Sequence, residues 1–143
     1  MHDIQHDFPV FAPIERVFEA VTTPVGLNAW WTKTCQGEPT VRSIYELGFG
    51  EGYQWRAMVT VTRPDAEFEL QLIDADEDWQ GTRVGFVLTA KSDRTNVKFY
   101  HKGWPNDNSH YRTSCYCWAM YLRIMKRHVE FGENVEYEKR LEV

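Results

Sequence analysis

Three residues of this chain have the chemistry for catalysis or for orienting a ligand, and periodicity places them close together. Alternation in residues 95–104 puts His101 on the same face as Phe99. Tyr111 and Cys115 lie on the apolar stripe of the following helix, so we expect them to pass over His101. A buried imidazole needs a hydrogen-bond partner, which can be protein, water or a ligand. We therefore expect His101 either to be satisfied by the protein or to orient a ligand, whereas no carboxylate partner for acid–base catalysis is identifiable.

The acidic segment 74–81 resembles a calcium-binding loop only in part. Acidic residues stand at its first, third and fifth positions, which such loops use for ligands. However, Trp79 occupies the position of the glycine that makes the sharp turn, and Gly85 occupies that of the bidentate glutamate. The pattern therefore predicts a solvated hairpin loop rather than a metal site.

The three cysteines, Cys35, Cys115 and Cys117, predict neither a disulfide framework nor a metal site. On a helix, the side chains of Cys115 and Cys117 diverge by about 200°, so they cannot bind one metal ion together. We expect Cys115 to be a buried and unreactive thiol. The sequence thus predicts no metal and no cofactor.

A long helix over residues 108–131 has the clearest pattern in the chain. Gly132 follows it, at the position where a helix end favours a left-handed residue. At 1.5 Å per residue the helix would be about 35 Å long, enough to cross a small domain. Its apolar residues recur at alternating steps of four and three, which makes one continuous stripe. The stripe consists of Tyr111, Cys115, Trp118, Leu122, Met125 and Val129.

The N-terminal part predicts a strand followed by two short helices. Residues 4–10 alternate as a strand, and Pro13 occupies the first position of a helix. Thr23 and the proline after it cap and start a second helix. Trp30 and Trp31 lie on that helix about 100° apart. We therefore expect one of them to be buried and the other to lie at a cavity mouth or a partner surface.

From residue 41 onward, a period of two predicts an antiparallel meander with one solvated face. The charged tail 133–143 is expected to be a surface extension or a partly ordered end. The inward residues are predicted to include Trp55, Ala57, Val59, Phe68, Leu70, Leu72, Val84, Phe86, Leu88, Val97 and Phe99. The solvated face is predicted to include Glu67, Glu69 and Gln71.

Length and composition indicate one domain, residues 1–143, with one core. A formal net charge of -5 gives no basic surface for nucleic acid or an anionic membrane. No apolar run approaches the roughly 20 residues needed to cross a bilayer, so no membrane insertion is expected. The N-terminus lacks a basic region followed by an apolar one, and we therefore expect a cytoplasmic protein.

The order of these elements resembles the helix-grip fold of the START-like (SRPBCC) superfamily. The resemblance is closer to the family named activator of 90 kDa heat shock protein ATPase homologue. It implies an α+β fold in which a curved antiparallel β-sheet wraps around a long C-terminal α-helix, with two short N-terminal helices. It also implies a deep apolar cavity between sheet and helix. The segments that carry it are 12–20, 30–32, 79–84 and 95–104, together with Trp118 and Leu122.

The first functional hypothesis is binding of a small hydrophobic molecule in that cavity. A second is an enzyme of the cyclase or hydrolase kind, in which His101 or Tyr111 polarises a bound carbonyl; we expect binding rather than catalysis. A third is a protein-interaction module acting on a chaperone or another partner. Formation of a homodimer is also compatible with the sequence. The predicted ligand-binding residues are Trp55, Phe68, Phe86, Phe99, His101, Tyr111, Cys115 and Trp118.

Overall fold

The computed structural model describes residues 1–143 and consists of seven strands, three α-helices and one 3₁₀ helix. The strands are β1 (His2–Val10), β2 (Thr34–Gln36), β3 (Ile44–Gly48), β4 (Gln54–Arg63), β5 (Glu67–Asp74), β6 (Arg83–Ala90) and β7 (Thr95–Trp104). The helices are α1 (Ile14–Thr22), α2 (Pro24–Trp30) and α3 (Ser109–Phe131), and the 3₁₀ helix is Tyr137–Glu142. No helix combines the length and the apolar character that crossing a membrane requires.

All seven strands form one antiparallel sheet in the order β1-β7-β6-β5-β4-β3-β2. The chain's first strand pairs with its last, so that Ile4 lies opposite His101 and Phe8 lies opposite Val97. This pairing places β7, which carries His101, one strand in from the edge. The predicted α+β helix-grip fold is confirmed. The three-residue edge strand β2 was not predicted, because its short and mostly polar sequence has no periodicity.

Helix α3 lies where the sequence predicts it and is closed at both ends. The side chain of Asn108 accepts a hydrogen bond from the Tyr111 backbone N–H at 3.0 Å, which caps the first turn. Gly132 ends the helix in the left-handed conformation, with φ of 71°. Within the predicted stripe, Tyr111 and Cys115 are only half-buried. The fully buried members are Trp118, Leu122, Met125 and Val129.

Trp30 and Trp31 are both buried, so the prediction that one of them lies at a surface is wrong. The two side chains are 0% and 3% exposed. Helix α2 ends at Trp30, and Trp31 leaves helical geometry with φ of -121° and ψ of -68°. The 100° separation of helical neighbours therefore does not apply, and the two rings stack at an angle of 22°.

The C-terminal tail is packed onto the fold rather than being a surface extension. The Arg140 side chain is buried, and its guanidinium donates to the carbonyls of Asn28 at 2.6 Å and Thr32 at 3.3 Å. The Tyr137 hydroxyl donates to the Phe49 carbonyl at 2.8 Å. These bonds fix the 3₁₀ helix against the C-terminal end of α2, the residues just after it and the end of β3.

Glu69 is buried, although alternation places it on the solvated face of the sheet. Its carboxylate accepts hydrogen bonds from the hydroxyls of Thr60 and Tyr100 and pairs with Arg83 at 3.4 Å. The Tyr100 ring covers Gly85, where a Cβ atom would collide with it. The missing side chain at Gly85 thus allows Tyr100 to close over Glu69.

The edge strand β1 is also bonded to α3 through side chains. The Tyr111 hydroxyl donates to the Asp3 carbonyl at 2.7 Å, and the Lys126 ammonium donates to the Pro9 carbonyl at 2.6 Å. Pro9 has no backbone N–H of its own. Both ends of β1 are therefore held by the same helix.

Candidate functional site

The space between the sheet and α3 is filled by side chains that we call the aromatic cluster. Trp118 of α3 lies at its centre, with ring centroids 4.5 Å from Phe99 and 5.3 Å from Trp31. Every ring in the cluster contacts at least one other ring at an offset or edge-on angle, as aromatic pairs prefer. The cluster comprises Trp30, Trp31, Trp79, Phe86, Phe99, His101, Trp104 and Trp118.

His101 is fully satisfied by protein groups, and its tautomer follows from its partners. The Trp118 Nε1–H lies 3.0 Å from His101 Nδ1, and an indole nitrogen can only donate, so Nδ1 accepts. The proton of the neutral ring is therefore on Nε2, which donates to the Thr82 hydroxyl at 2.8 Å. That hydroxyl donates in turn to the Trp79 carbonyl at 2.6 Å. The chain of bonds uses both nitrogens of the ring.

Burial keeps His101 neutral. The side chain is 0% exposed, and desolvation lowers its pKa from the ordinary 6.5 to about 3. Protonation would also break the bond from Trp118, because Nδ1 would then carry a hydrogen of its own. At neutral pH His101 is thus a fixed polar group within an apolar interior rather than a general acid.

Two other polar atoms of the aromatic cluster have no partner. Trp79 Nε1 and Trp104 Nε1 are buried N–H donors without a hydrogen bond in the protein. Both rings contact His101, at centroid distances of 4.4 Å and 4.9 Å, and they lie 6.0 Å from each other. The side chains are 8% and 0% exposed, respectively. Unpaired donors of this kind are uncommon in protein interiors.

Sequence reasoning missed both of these tryptophans as site residues. Trp79 belongs to the loop 75–82, where no periodicity indicates which side chains turn inward. Trp104 falls out of phase with Phe99 and His101, and it becomes buried because Gly103 leaves the extended conformation, with φ of 92°. Neither position has a pattern in the sequence that predicts its burial.

Four of the eight predicted ligand-binding residues lie close together in the structure. Phe86, Phe99, His101 and Trp118 lie together in the aromatic cluster. Trp55 is half-buried at its margin, with its ring centroid 5.1 Å from Trp79.

The other three predicted residues lie around the cluster. Phe68 packs against Tyr45 at 5.7 Å. Tyr111 lies over Trp104 at 5.5 Å, with its hydroxyl directed to β1. Cys115 is half-buried, and its sulfur lies 4.0 Å from His6 Nε2.

Five open depressions on the surface, of about 170 to 490 Å³, are lined by none of the eight predicted residues. One of about 270 Å³ runs between β1 and α3 and is lined by residues that include His6, Phe8, Leu122 and Arg123. Because the rings of the aromatic cluster touch one another, a ligand could occupy that interior only after some of them separate.

The loop 75–82 is fastened to the start of α3 beside the aromatic cluster. Asp78 Oδ2 lies 3.0 Å from His110 Nδ1 and accepts from the Asn108 side chain at 3.3 Å. These bonds lower the pKa of Asp78 below its usual value. The His110 ring lies edge-on to Trp104, at a centroid distance of 5.4 Å. The bonds of Asp78 therefore lie beside both unpaired indoles, since His110 contacts Trp104 and Asp78 precedes Trp79 in the sequence.

The remaining reactive residue types do not assemble into a catalytic centre. The three thiols are free, and burial raises the pKa of Cys35 to about 12 and also raises that of Cys117. No group of three or more His, Cys, Asp or Glu side chains is arranged to hold a metal ion. The polar groups of the aromatic cluster include the His101 hydrogen-bond chain and the two unpaired indoles.

Comparison with known proteins identifies the fold and the family. The solution structure of the Aha1 dimer from Colwellia psychrerythraea has 28% sequence identity and a TM-score of 0.84, over 94% of this chain and 100% of that chain. A protein from Mesorhizobium loti has 16% identity and a TM-score of 0.80, over 92% and 99% of the two chains. A protein from Bacillus halodurans has 22% identity and a TM-score of 0.76, over 91% and 98%. At these two lower identities the likeness concerns the fold alone.

No curated protein matches the chain. The family model described as Activator of Hsp90 ATPase homolog 1-like protein matches residues 11–130, which is most of the sequence. The chain therefore belongs to the family of activator of Hsp90 ATPase homolog 1-like proteins.

Proposed function

We propose that this protein binds a small hydrophobic molecule between the sheet and α3, within the aromatic cluster. The observation that carries the proposal is the make-up of this interior. All eight members of the cluster are neutral, seven are aromatic hydrophobic side chains, and the eighth is His101, held uncharged by burial. Ligand sites for apolar molecules are lined in this way, by aromatic rings and a few placed polar groups.

Access is through the end of the aromatic cluster that the loop 75–82 covers. Trp79, Trp55 and Phe49 contact one another in sequence, and the last two are only half-buried. The cluster thus reaches the surface at this end by a path of rings. Displacement of the loop, with Trp79 on it, would open the space beside His101 without breaking the sheet.

The same geometry favours binding over catalysis. Both nitrogens of His101 are occupied and its ring is neutral, so it has no proton-transfer role in this arrangement. Burial raises the pKa of Tyr111, and its hydroxyl donates to a carbonyl of β1 rather than pointing to His101. The interaction-module hypothesis predicts a filled interior, which agrees with the packed aromatic cluster, but also Trp30 or Trp31 on the surface, and both are buried.

Thermal unfolding of the protein with a panel of apolar metabolites, followed by intrinsic tryptophan fluorescence, tests the proposal. A ligand at a hundred times its dissociation constant stabilises the folded state by about 2.7 kcal/mol. Trp118→Leu removes the central ring of the cluster and should abolish the stabilisation. Tyr116→Leu, on the exposed side of α3 where the tyrosine is 79% exposed, is the matched control and should preserve it.

Two results would contradict ligand binding in the interior. One is the absence of stabilisation by every compound of the panel. The other is a ligand that leaves all indole ¹⁵N–¹H signals of the buried tryptophans unchanged, which places its site on the surface. The second measurement uses the unmodified protein and does not depend on the folding of Trp118→Leu.

We also propose that the chain forms a homodimer. The observation in favour is that its Colwellia psychrerythraea relative, similar along the whole of its length, is a dimer. Sedimentation velocity at increasing protein concentration should give a species of twice the chain mass of 16.9 kDa. A single species of 16.9 kDa at all concentrations would reject the dimer and leave ligand binding unaffected.

A further inference from the structure

The two unpaired indoles differ from the other buried tryptophans of the interior. Trp30 Nε1 donates to the Ala20 carbonyl at 2.9 Å, and Trp118 Nε1 donates to His101. Only Trp79 Nε1 and Trp104 Nε1 are buried without an acceptor. A buried donor without a partner loses its hydration and gains nothing in exchange, so an acceptor placed there is strongly favoured.

The neighbouring polar groups are hydrogen-bonded to one another and not to the two indoles. His101, which both rings contact, already accepts from Trp118 and donates to Thr82. The Thr82 hydroxyl already donates to the Trp79 carbonyl. The two indole donors are therefore left without a partner in this arrangement.

A water molecule is a poor partner for two unpaired N–H donors. Water could accept from both indoles, but its own two hydrogens would then need acceptors in the same place. A carbonyl oxygen has two lone pairs and no hydrogen, so it can accept from one or both indoles and leaves nothing unpaired. A carboxylate would bring a charge into a cluster without a cation, which is costly.

We propose that the ligand of this interior is a neutral, mostly aromatic or apolar molecule with a ketone-type oxygen that accepts hydrogen bonds from Trp79 Nε1 and Trp104 Nε1. This inference rests on the proposed function, because it assigns the chemical class of the molecule bound there. His101 takes no part as a donor. It holds Trp118 and Thr82 in place, and its ring forms the wall that both indoles contact.

Pairs of probes that differ only in the acceptor test this assignment. Acetophenone and α-methylstyrene form one pair, and benzophenone and 1,1-diphenylethylene form another; in each, a C=CH₂ group replaces C=O at nearly constant shape. Dissociation constants are measured by tryptophan fluorescence. The ketone of at least one pair should bind about tenfold more tightly than its alkene, since the alkene leaves the donors unpaired.

The indole ¹⁵N–¹H spectrum of the unmodified protein gives direct evidence of the contact. The chain has six tryptophans, and hence six indole signals. The ketone should move the Trp79 and Trp104 signals downfield, as a new hydrogen bond does, whereas the alkene should not. Trp79→Phe and Trp104→Phe assign these signals, and each should reduce the preference for the ketone while retaining an aromatic ring.

Tyr116→Phe is the control, because Tyr116 is 79% exposed on α3 and lies outside the aromatic cluster. It should leave the preference for the ketone unchanged. Equal affinity for ketone and alkene in both pairs would overturn the acceptor assignment and leave the binding proposal standing. Failure of all four probes to bind would overturn the assignment of an aromatic ketone ligand, whereas the metabolite panel decides the binding proposal itself.

Discussion

His101 is completely buried, and both of its ring nitrogens are hydrogen-bonded to side chains. Its neighbours Trp118 and Thr82 come from α3 and from the loop before β6, so the ring joins three separate parts of the chain. Because each partner fixes one nitrogen, the ring can be neither rotated nor protonated without loss of a bond. His101 thus has a structural role, because it holds the Trp118 and Thr82 side chains in place.

The first prediction concerns pH. Between pH 6.5 and pH 3 the His101 imidazole is protonated in the unfolded chain but neutral in the folded protein, because folding lowers its pKa to about 3. The contribution of His101 to stability is therefore complete above pH 6.5 and is lost as the pH falls, by about 1.4 kcal/mol per unit. Urea unfolding from pH 7 to pH 4 should show a steeper decline for the native protein than for His101→Gln, and equal slopes would contradict the lowered pKa.

The second prediction concerns Thr82, whose hydroxyl links His101 to the loop. Thr82→Val keeps the shape but leaves the His101 Nε2–H without an acceptor, and should cost about 2 kcal/mol of unfolding free energy. Thr82→Ser keeps the hydroxyl and should lose only about 1 kcal/mol for the missing methyl group. Chemical denaturation measures both, and a smaller loss for valine than for serine would contradict a stabilising hydrogen bond between Thr82 and His101.

The sequence indicates the inward position of His101 but not its partners. Alternation from Phe99 to His101 suffices to predict that the ring is buried, since the strand is regular there. Trp118 is predicted as well, because the helix stripe is regular. Thr82, Trp79 and Trp104 lie in a loop or beyond a break in the strand, where the fold rather than the local pattern decides which side chain turns inward.

The loop 75–82 is the element that closes the aromatic cluster, and it is held from outside by one carboxylate. Asp78 bonds to Asn108 and His110, which are the cap and the first turn of α3. The same loop carries Trp79 on its inner side. Release of this fastening should therefore loosen the loop without unfolding the helix.

The third prediction follows from this fastening. Asp78→Ala should accelerate amide hydrogen exchange in the loop 75–82 and speed the entry of any ligand of the interior, because the bonds to Asn108 and His110 are lost. Glu77→Ala removes the same charge from the neighbouring position and serves as control. Equal exchange rates in the two variants would show that the fastening does not hold the loop closed.

The fourth prediction concerns the C-terminal 3₁₀ helix. Arg140→Ala removes the charged hydrogen bonds to the carbonyls of Asn28 and Thr32, and should lower the unfolding free energy by about 2 kcal/mol. Lys139→Ala, at an exposed neighbouring position, should cost much less. Equal losses in denaturant titrations would mean that the tail adds no specific stability.

Regular elements were predictable, and elements that depend on distant partners were not. The helix α3 and the inward face of β6 follow from periodicity alone. The tail has no apolar period, and its order depends on the Arg140 hydrogen bonds to the carbonyls of Asn28 and Thr32. Burial of Glu69 likewise depends on Gly85 and Tyr100 of two other strands, which alternation within one strand cannot reveal.

The core of the molecule contains five buried tryptophans, of which four form two stacked pairs. Trp30 and Trp31 stack at 6.1 Å, and Trp79 and Trp118 stack at 5.8 Å. Trp118 also contacts Trp30 and Trp31, so the two stacks are joined. The orientation of each of these rings is therefore fixed by the others, and through them by the packing of the sheet and the helices.

The fifth prediction uses this property. The near-ultraviolet circular dichroism, which reports the fixed asymmetry of the tryptophans, should disappear at the same urea concentration as the far-ultraviolet signal of the backbone. One cooperative transition is expected because the joined stacks cannot loosen while the sheet and α3 stay in place. Earlier loss of the near-ultraviolet signal would instead identify a compact state with a fluid interior.

The two bonds from α3 to the first strand have a consequence for how this protein meets other chains. A free sheet edge is a template on which a further strand, or an aggregate, can grow. Here the Tyr111 hydroxyl and the Lys126 ammonium already occupy backbone acceptors of Asp3 and Pro9, and Pro9 has no donor to contribute. The opposite border of the sheet is only three residues long. These features disfavour extension of the sheet by a further strand at either border.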